Sequence, residues 1–262
     1  MPTTYAHDLF GKMVYHKLEP EIQQIIERHK MSYIIGLHGP DILFYTRPFH
    51  RNRVNRLGFR LHGEIAADFF EKGKEICREN QNEEVLAYLL GFVCHFMLDS
   101  TCHPYIYKYM EKTGAAHDEI ETELDRELML STGKNPFWYH PSGVIKREEA
   151  SIKAISQVLE GMSEKDISHT LEGMKFYTNM MVCHTALERR ILRGIARVTG
   201  IYWLLQGKVI LKRPRKKCSE STAELKRLFS LAVPETVTVL EGYYRAVIEN
   251  RELDARFNRN YK

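Results

Sequence analysis

The chain is short of several features that would fix its class at once. Its five cysteines (Cys77, Cys94, Cys102, Cys183 and Cys218) are an odd number at irregular spacings. None forms a Cys-x-x-Cys pair, so reduced and mostly buried thiols are expected rather than a disulfide framework. No stretch approaches the roughly 20 uninterrupted apolar residues of a membrane span. The N-terminal segment "MPTTYAHDLFGKMVYHKLEPEI" lacks a basic stretch followed by an apolar run, so no signal peptide is read and a cytoplasmic location is expected. Charge of one sign is scarce: the formal net charge is +4 and the pI about 8.7, too mildly basic to demand a nucleic-acid partner. A Gly-rich phosphate loop and a Gly-x-Ser-x-Gly elbow are both missing, which removes two common catalytic schemes. Strand-like alternation is nearly absent, and there is no internal repeat and no low-complexity segment.

What the chain does have is apolar residues at helical spacing. Of its 262 residues 44% are hydrophobic and 27% charged, enough to build a core and too apolar for disorder. "LEPEIQQIIERH" repeats Ile22, Ile25 and Ile26 on one face behind an early proline, which predicts a short amphipathic helix. Residues 54–80 space Leu57, Leu61, Ile65, Phe69, Phe70 and Ile76 as one long helix. An antiparallel neighbour is expected through "NEEVLAYLLGFVCHFMLDSTCH", after an Asn-rich break. Further helices are predicted from about Ala115, through "EEASIKAISQVLEGM", along residues 166–205 and between 220 and 250. Gly and Pro mark irregular stretches at 36–52, 131–143 and 208–219. The expectation is an all-α, multi-helix bundle in a single domain over residues 1–262.

One stretch resists a purely structural reading. In "GFVCHFMLDSTCHPY" the residues His95, Asp99 and His103 fall at four-residue intervals inside an apolar segment. Four residues advance about 6 Å along a helix and return to nearly the same face. His95 and Asp99 therefore project together, and His103 follows where Pro104 is expected to end the helix. A carboxylate in such a segment needs a positive partner, and a His–Asp hydrogen bond would suffice for this triplet alone. "AAHDEIETELD" then repeats the device with His117 and Glu121, and with Asp125 one turn later. Imidazole and carboxylate at this spacing form a two-ligand clamp for zinc. Two clamps plus His103 exceed one tetrahedral site, which implies at least two metals about 3.5–4 Å apart.

Upstream lie more candidates: His7 before the apolar residues of the first helix, His38, Asp41 and His50 in the 36–52 loop, and His62 on the helix preceding that of His95. His16, His29, His140, His169 and His184 share no clamp pattern and are read as ordinary. Cys94 and Cys102 adjoin the histidines without a motif and are read as structural.

The ordered set His7, Asp41, His62, His95-x3-Asp99, His103-Pro104 and His117-x3-Glu121 resembles the zinc-dependent phospholipases C, which share an all-helical fold with fungal single-strand nucleases. The resemblance covers mainly residues 5–125. It implies that Asp41, His62, His95 and Asp99 hold one zinc, that His103, His117 and Glu121 hold a second, and that Asp99 bridges. In family members a third zinc is held by the amine and carbonyl of an N-terminal Trp, the early His and the bridging Asp. This chain begins Met1-Pro2, so two zincs with an optional third at His7 are expected.

The chemistry implied is phosphodiester hydrolysis by metal-activated water, with Asp41 as zinc ligand, as the base that orients the water, or as both. A phospholipid or another phosphodiester is the expected substrate. Phe44, Tyr45 and Phe49, or "FWYH" at 137–140, are candidates for its pocket. The basic run "LKRPRKK" at 211–217 suggests peripheral contact with an anionic membrane surface or a nucleic-acid backbone, set against a solvated turn between helices. The alternatives are a single-strand nuclease or small-molecule phosphodiesterase on the same cluster, and a non-catalytic zinc-binding protein with every metal position filled by side chains.

Overall fold

The computed structural model describes residues 4–205 and 207–262, apart from the side chains of Asn80, Trp203 and Leu204. Met1 and Pro2, on which the expectation for a third zinc turns, lie outside the described residues. Among those described the fold is helical with no β-strand. The elements are α1 (Thr4–Tyr15), α2 (Pro20–Arg28), α3 (Lys30–Gly36), α4 (Arg53–Gly63), α5 (Ala66–Asn80), α6 (Glu83–Thr113), α7 (His117–Ser131), α8 (Glu149–Val158), α9 (Glu164–Met181), α10 (Ala186–Val198), α11 (Tyr202–Leu205) and α12 (Ser219–Glu249). A 3-10 turn covers Gly39–Tyr45.

Helix α6 is the axis of the molecule, with α3, α12, α8, α5 and α1 packed round it. Asn82 starts it by accepting the amides of Glu84 and Val85, and Gly114, at φ 67°, ends it in the left-handed conformation that glycine adopts without strain. By length and hydropathy α6 could cross a bilayer, but 94% of its most apolar 18-residue window is buried within the protein. That is the pattern of a core helix.

Two glycines let α3 and α6 cross closely. A Cβ on Gly91 would fall 2.2 Å from the Tyr33 carbonyl oxygen, and one on Gly36 would fall 2.2 Å from the Tyr88 carbonyl oxygen. Bare backbone on both helices brings the end of α3, and the turn that follows, against the middle of α6.

Three expectations are corrected. Residues 54–80 form two helices, because Glu64 and Ile65 are extended between Gly63 and Ala66. The 166–205 region is likewise divided into α9, α10 and α11. Pro104 does not end α6, which runs nine residues further to Thr113. A proline deprives the carbonyl four residues earlier of its helical donor. Here that carbonyl, of Ser100, accepts instead from the Arg259 guanidinium at 2.6 Å, so the C-terminal tail supplies what the proline withholds.

Candidate metal centre

Five elements converge near the middle of α6. This helix brings His95, Asp99 and His103; α7 brings His117 and Glu121; α1 brings His7; α4 brings His62; the 3-10 turn brings Asp41. His7 therefore sits within the first helix and not ahead of it. The position of α1 is set by Asp125, whose carboxylate accepts the amides of Ala6 at 2.9 Å and Tyr5 at 3.2 Å. Asp125 is thus the cap of α1, not a third member of the α7 clamp. Its burial pushes the carboxyl well above the usual range, against the pull of those two hydrogen bonds.

The ligand atoms fall into three groups: His7, His95 and Asp99; Asp41, His62 and His95; and His103, His117 and Glu121. Asp99 lies between them. Its Oδ1 is 3.2 Å from His7 Nε2, and its Oδ2 is 3.2 Å from His95 Nε2 and 3.7 Å from His103 Nε2. His62 Nε2 is 3.2 Å from Asp41 Oδ1, and Glu121 Oε1 is 2.9 Å from His117 Nε2 and 3.7 Å from His103 Nε2. All eight residues singled out by the sequence are brought together.

Hydrogen bonding on the far side of the rings decides what these short distances mean. His95 Nδ1 faces the Leu37 carbonyl at 3.3 Å, His62 Nδ1 the Gly58 carbonyl at 2.7 Å, and His103 Nδ1 the Tyr261 carbonyl at 2.8 Å. A carbonyl only accepts, so each Nδ1 carries a proton, and each ring turns Nε2, the nitrogen left for ligation, toward a carboxylate. His95 Nε2 is buried and has no hydrogen-bond partner, although a carboxylate oxygen stands 3.2 Å away. An unprotonated Nε2 and an ionised carboxylate so placed repel unless a proton or a metal cation lies between them. Two ligands of one tetrahedral zinc, each about 2.05 Å from the metal, are roughly 3.3 Å apart. The nitrogen and oxygen donors, their spacing and the backbone carbonyls that fix the rings all fit zinc.

The electrostatics favour ionised carboxylates. Burial opposes ionisation of Asp99, but His103, His95 and His7 hold it well below the ordinary range. Burial likewise opposes ionisation of Glu121, yet His117 and His103 keep it low. His103 moves up to about 9, since Asp99 and Glu121 outweigh its burial. His38 is forced down to about 3 by burial, helped by His7 and His95. It is buried beside the centre but belongs to none of the three groups. His50 is exposed, and its role is in its carbonyl, which accepts the side-chain amides of Asn52 and Asn55.

Gly39 matters for the same reason as Gly91. Its φ is 46°, and a Cβ there would fall 2.3 Å from the His95 ring. Only glycine lets the Asp41 turn lie against that imidazole. On the other side the Tyr261 ring, itself buried, packs 5.0 Å from His62 and 5.8 Å from His95, centre to centre. The carbonyls of Leu37, Gly58 and Tyr261 were invisible to a reading of side chains, because any residue carries one.

The five histidines read as ordinary belong to none of these groups, although His184, four residues before Glu188 and 3.6 Å from it, does have the clamp spacing. His29 pairs with Glu84, His140 bonds Asn179, and His184 stacks on Trp138 at 4.2 Å. The cysteines are all buried and unbridged. Burial lifts Cys94 to about 12 and Cys102 higher still, which removes both as thiolate nucleophiles.

Beside the centre opens a cavity of about 240 Å³. None of the eight candidate ligands lines it; it adjoins the centre through Phe44, whose ring lies 5.5 Å from that of His62, and Tyr45, Phe49 and Tyr139 add aromatic surface. Both aromatic clusters singled out in the sequence therefore contribute to one space. The "LKRPRKK" run is partly consumed inside the fold: Arg215 is buried and pairs with Glu123 at 2.8 Å, and Lys217 pairs with Glu119.

Comparison with known proteins bears on the same residues. A family model described as zinc-dependent phospholipase C matches residues 1–190, a span that contains all eight candidate ligands. No curated protein and no solved structure matches the chain.

Proposed function

Because the chain belongs to the zinc-dependent phospholipase C family, we propose that it hydrolyses the phosphodiester bond of a phospholipid at two zincs, with a third optional at His7. Asp41, His62, His95 and Asp99 would hold one ion and His103, His117 and Glu121 the other, with Asp99 standing between the two sets. The observation that carries this reading is the set of Nε2 atoms aimed by backbone carbonyls behind the rings to within 3.2–3.7 Å of carboxylate oxygens. Bound zinc supplies acidified water and charge to stabilise a phosphoryl group under attack.

The chain's own groups do the rest. His95 and Asp99 are sealed, whereas the side chains of Asp41, His62 and His117 keep 15%, 17% and 25% of their surface exposed. Substrate enters from that side. Asp41 is the partly exposed carboxylate best placed to orient the attacking water and take its proton. This access favours catalysis over a purely structural zinc site. The adjoining cavity favours lipid over nucleic acid: its wall is mostly aliphatic and aromatic, and Lys208, the one cation among its described lining residues, is paired with Asp118.

Zinc is counted by elemental analysis of protein purified without chelator, and the same preparation is offered phosphatidylcholine, single-stranded DNA and a simple aryl phosphodiester. Two or three zincs and release of a phosphorylated head group are expected. Hydrolysis of DNA without lipid cleavage would favour the nuclease reading. Fewer than two zincs after resupply would remove the hydrolytic reading altogether.

A further inference from the structure

Helix α10 is amphipathic in the wrong sense for a helix packed on a soluble protein. Its side facing the protein carries Arg189 and Ala196, both buried. Arg189 donates to the Cys183 carbonyl at 2.7 Å and lies over the Phe137 ring at 4.8 Å. Its outer side carries Leu187, Ile191, Ile195 and Val198, which are 64%, 51%, 55% and 90% exposed. At 100° per residue these four fall within about a quarter of the helix circumference. They form one continuous aliphatic stripe.

Arginines border the stripe. Arg190, Arg193 and Arg197 follow one edge, and Glu188 is the sole acidic residue of the helix. Arg190 and Arg197 are exposed, while Arg193 bonds the Tyr202 hydroxyl at 2.9 Å. A second copy docked on this stripe would bring arginines against arginines, with little acid to compensate. An anionic bilayer meets both features, burying the aliphatic side chains and neutralising the arginines.

The stripe is also joined to the cavity beside the metal centre. Met181 and Val182, just before α10, and Leu205 and Ile210, just after it, line that cavity. Two large exposed aromatics stand close by: Trp138 on His184, and Phe176 next to the cavity residue Tyr177. Beyond residue 190 this face lies outside the span the family model matches.

We propose that α10 docks the protein on an anionic phospholipid surface, stripe inward, with the cavity opening toward the lipid. The proposal deepens the hydrolytic reading by stating where the substrate is met, and its test is separate because binding is read without turnover. Purified protein is floated with vesicles of phosphatidylcholine alone and of phosphatidylcholine with 30% phosphatidylglycerol, at fixed ionic strength. Preferential binding to the anionic vesicles is expected. Ile191→Ser with Ile195→Ser should lower the partition coefficient roughly tenfold or more. Arg190→Ala should lower it about fivefold on anionic vesicles only. Thermal melts of both variants, and their hydrolysis of a monomeric short-chain substrate, should match the parent. Equal binding to both vesicles, no binding, or variants that bind like the parent would each overturn the proposal. So would a dimer in sedimentation that Ile191→Ser abolishes, since the stripe would then be an interface between copies.

Discussion

Adding one methyl group at Gly91 should both destabilise the fold and loosen the metal centre. A Cβ there would sit 2.2 Å from the Tyr33 carbonyl oxygen and 2.9 Å from the Leu37 amide nitrogen. Both are backbone atoms that cannot rotate away, so α3 and α6 must part by about 1 Å to restore ordinary contact. Overpacking of this kind costs typically about 1–3 kcal/mol, here at the upper end. The gain in helix propensity from Gly to Ala offsets about 1 kcal/mol. The net expectation is a loss of about 2 kcal/mol, roughly 4–8 °C in melting temperature for a chain of this size. His95 Nδ1 reaches the Leu37 carbonyl at 3.3 Å, and the same parting breaks that contact. Loss of an orienting partner of a ligand lowers metal affinity about 10- to 100-fold. Gly242 in α12 is the control: it is exposed and nothing lies within 4 Å of its Cβ position, so Gly242→Ala should stabilise by about 0.5–1 kcal/mol. Urea midpoints of both variants, with and without chelator, and zinc titrations of Gly91→Ala provide the assay. If Gly91→Ala melts higher, as Gly242→Ala should, the close helix crossing and everything hung on it are refuted.

Asp99→Asn should remove at least one zinc per chain and lower the melting temperature, because Asp99 stands between His7, His95 and His103; unchanged metal content would end its role as bridge. His184→Ala should leave metal content as it was, since that ring stacks on Trp138, and a loss would show that the division of the histidines is mistaken. In the native protein the thiols should react with an aromatic disulfide at pH 8 far more slowly than in the denatured chain. Their burial and the upward shifts at Cys77, Cys94 and Cys102 keep them neutral and covered, and fast labelling of Cys94 or Cys102 would reopen a thiol role.

The eight candidate ligands, which the fold gathers in one place, were legible because chelation would leave a local mark. His95 with Asp99, and His117 with Glu121, are four residues apart because a helix must aim both side chains at one point. Helical content was legible for the same reason of period. Helix ends were less so: Pro104 reads as a stop, yet α6 continues because Arg259, 159 positions from Ser100 in sequence, occupies the Ser100 carbonyl. Asp125 shares the α7 face with Glu121, and only the fold reveals that the amides of Tyr5 and Ala6 claim it. The break at Glu64 and Ile65 carries no strong signal beyond Gly63. The Gly36–Gly91 crossing could have been sought as small residues on two apolar helices, but pairing them requires knowing which helices touch. The outward stripe of α10 has the period of a core helix, and sequence alone does not say which way it faces.

Arg259 and Tyr261 give the centre an order of assembly. His103 takes its orientation from the Tyr261 carbonyl, and the Ser100 carbonyl takes its donor from Arg259, whereas every candidate ligand lies before residue 122. During synthesis the ligands leave the ribosome long before the segment that sets one of them. A nascent chain of 200 residues would carry all eight candidate ligands and still lack the carbonyl that orients His103. Orientation of His103 therefore waits for residues 259–261, and a chain cut before them would present this ring without its backbone anchor.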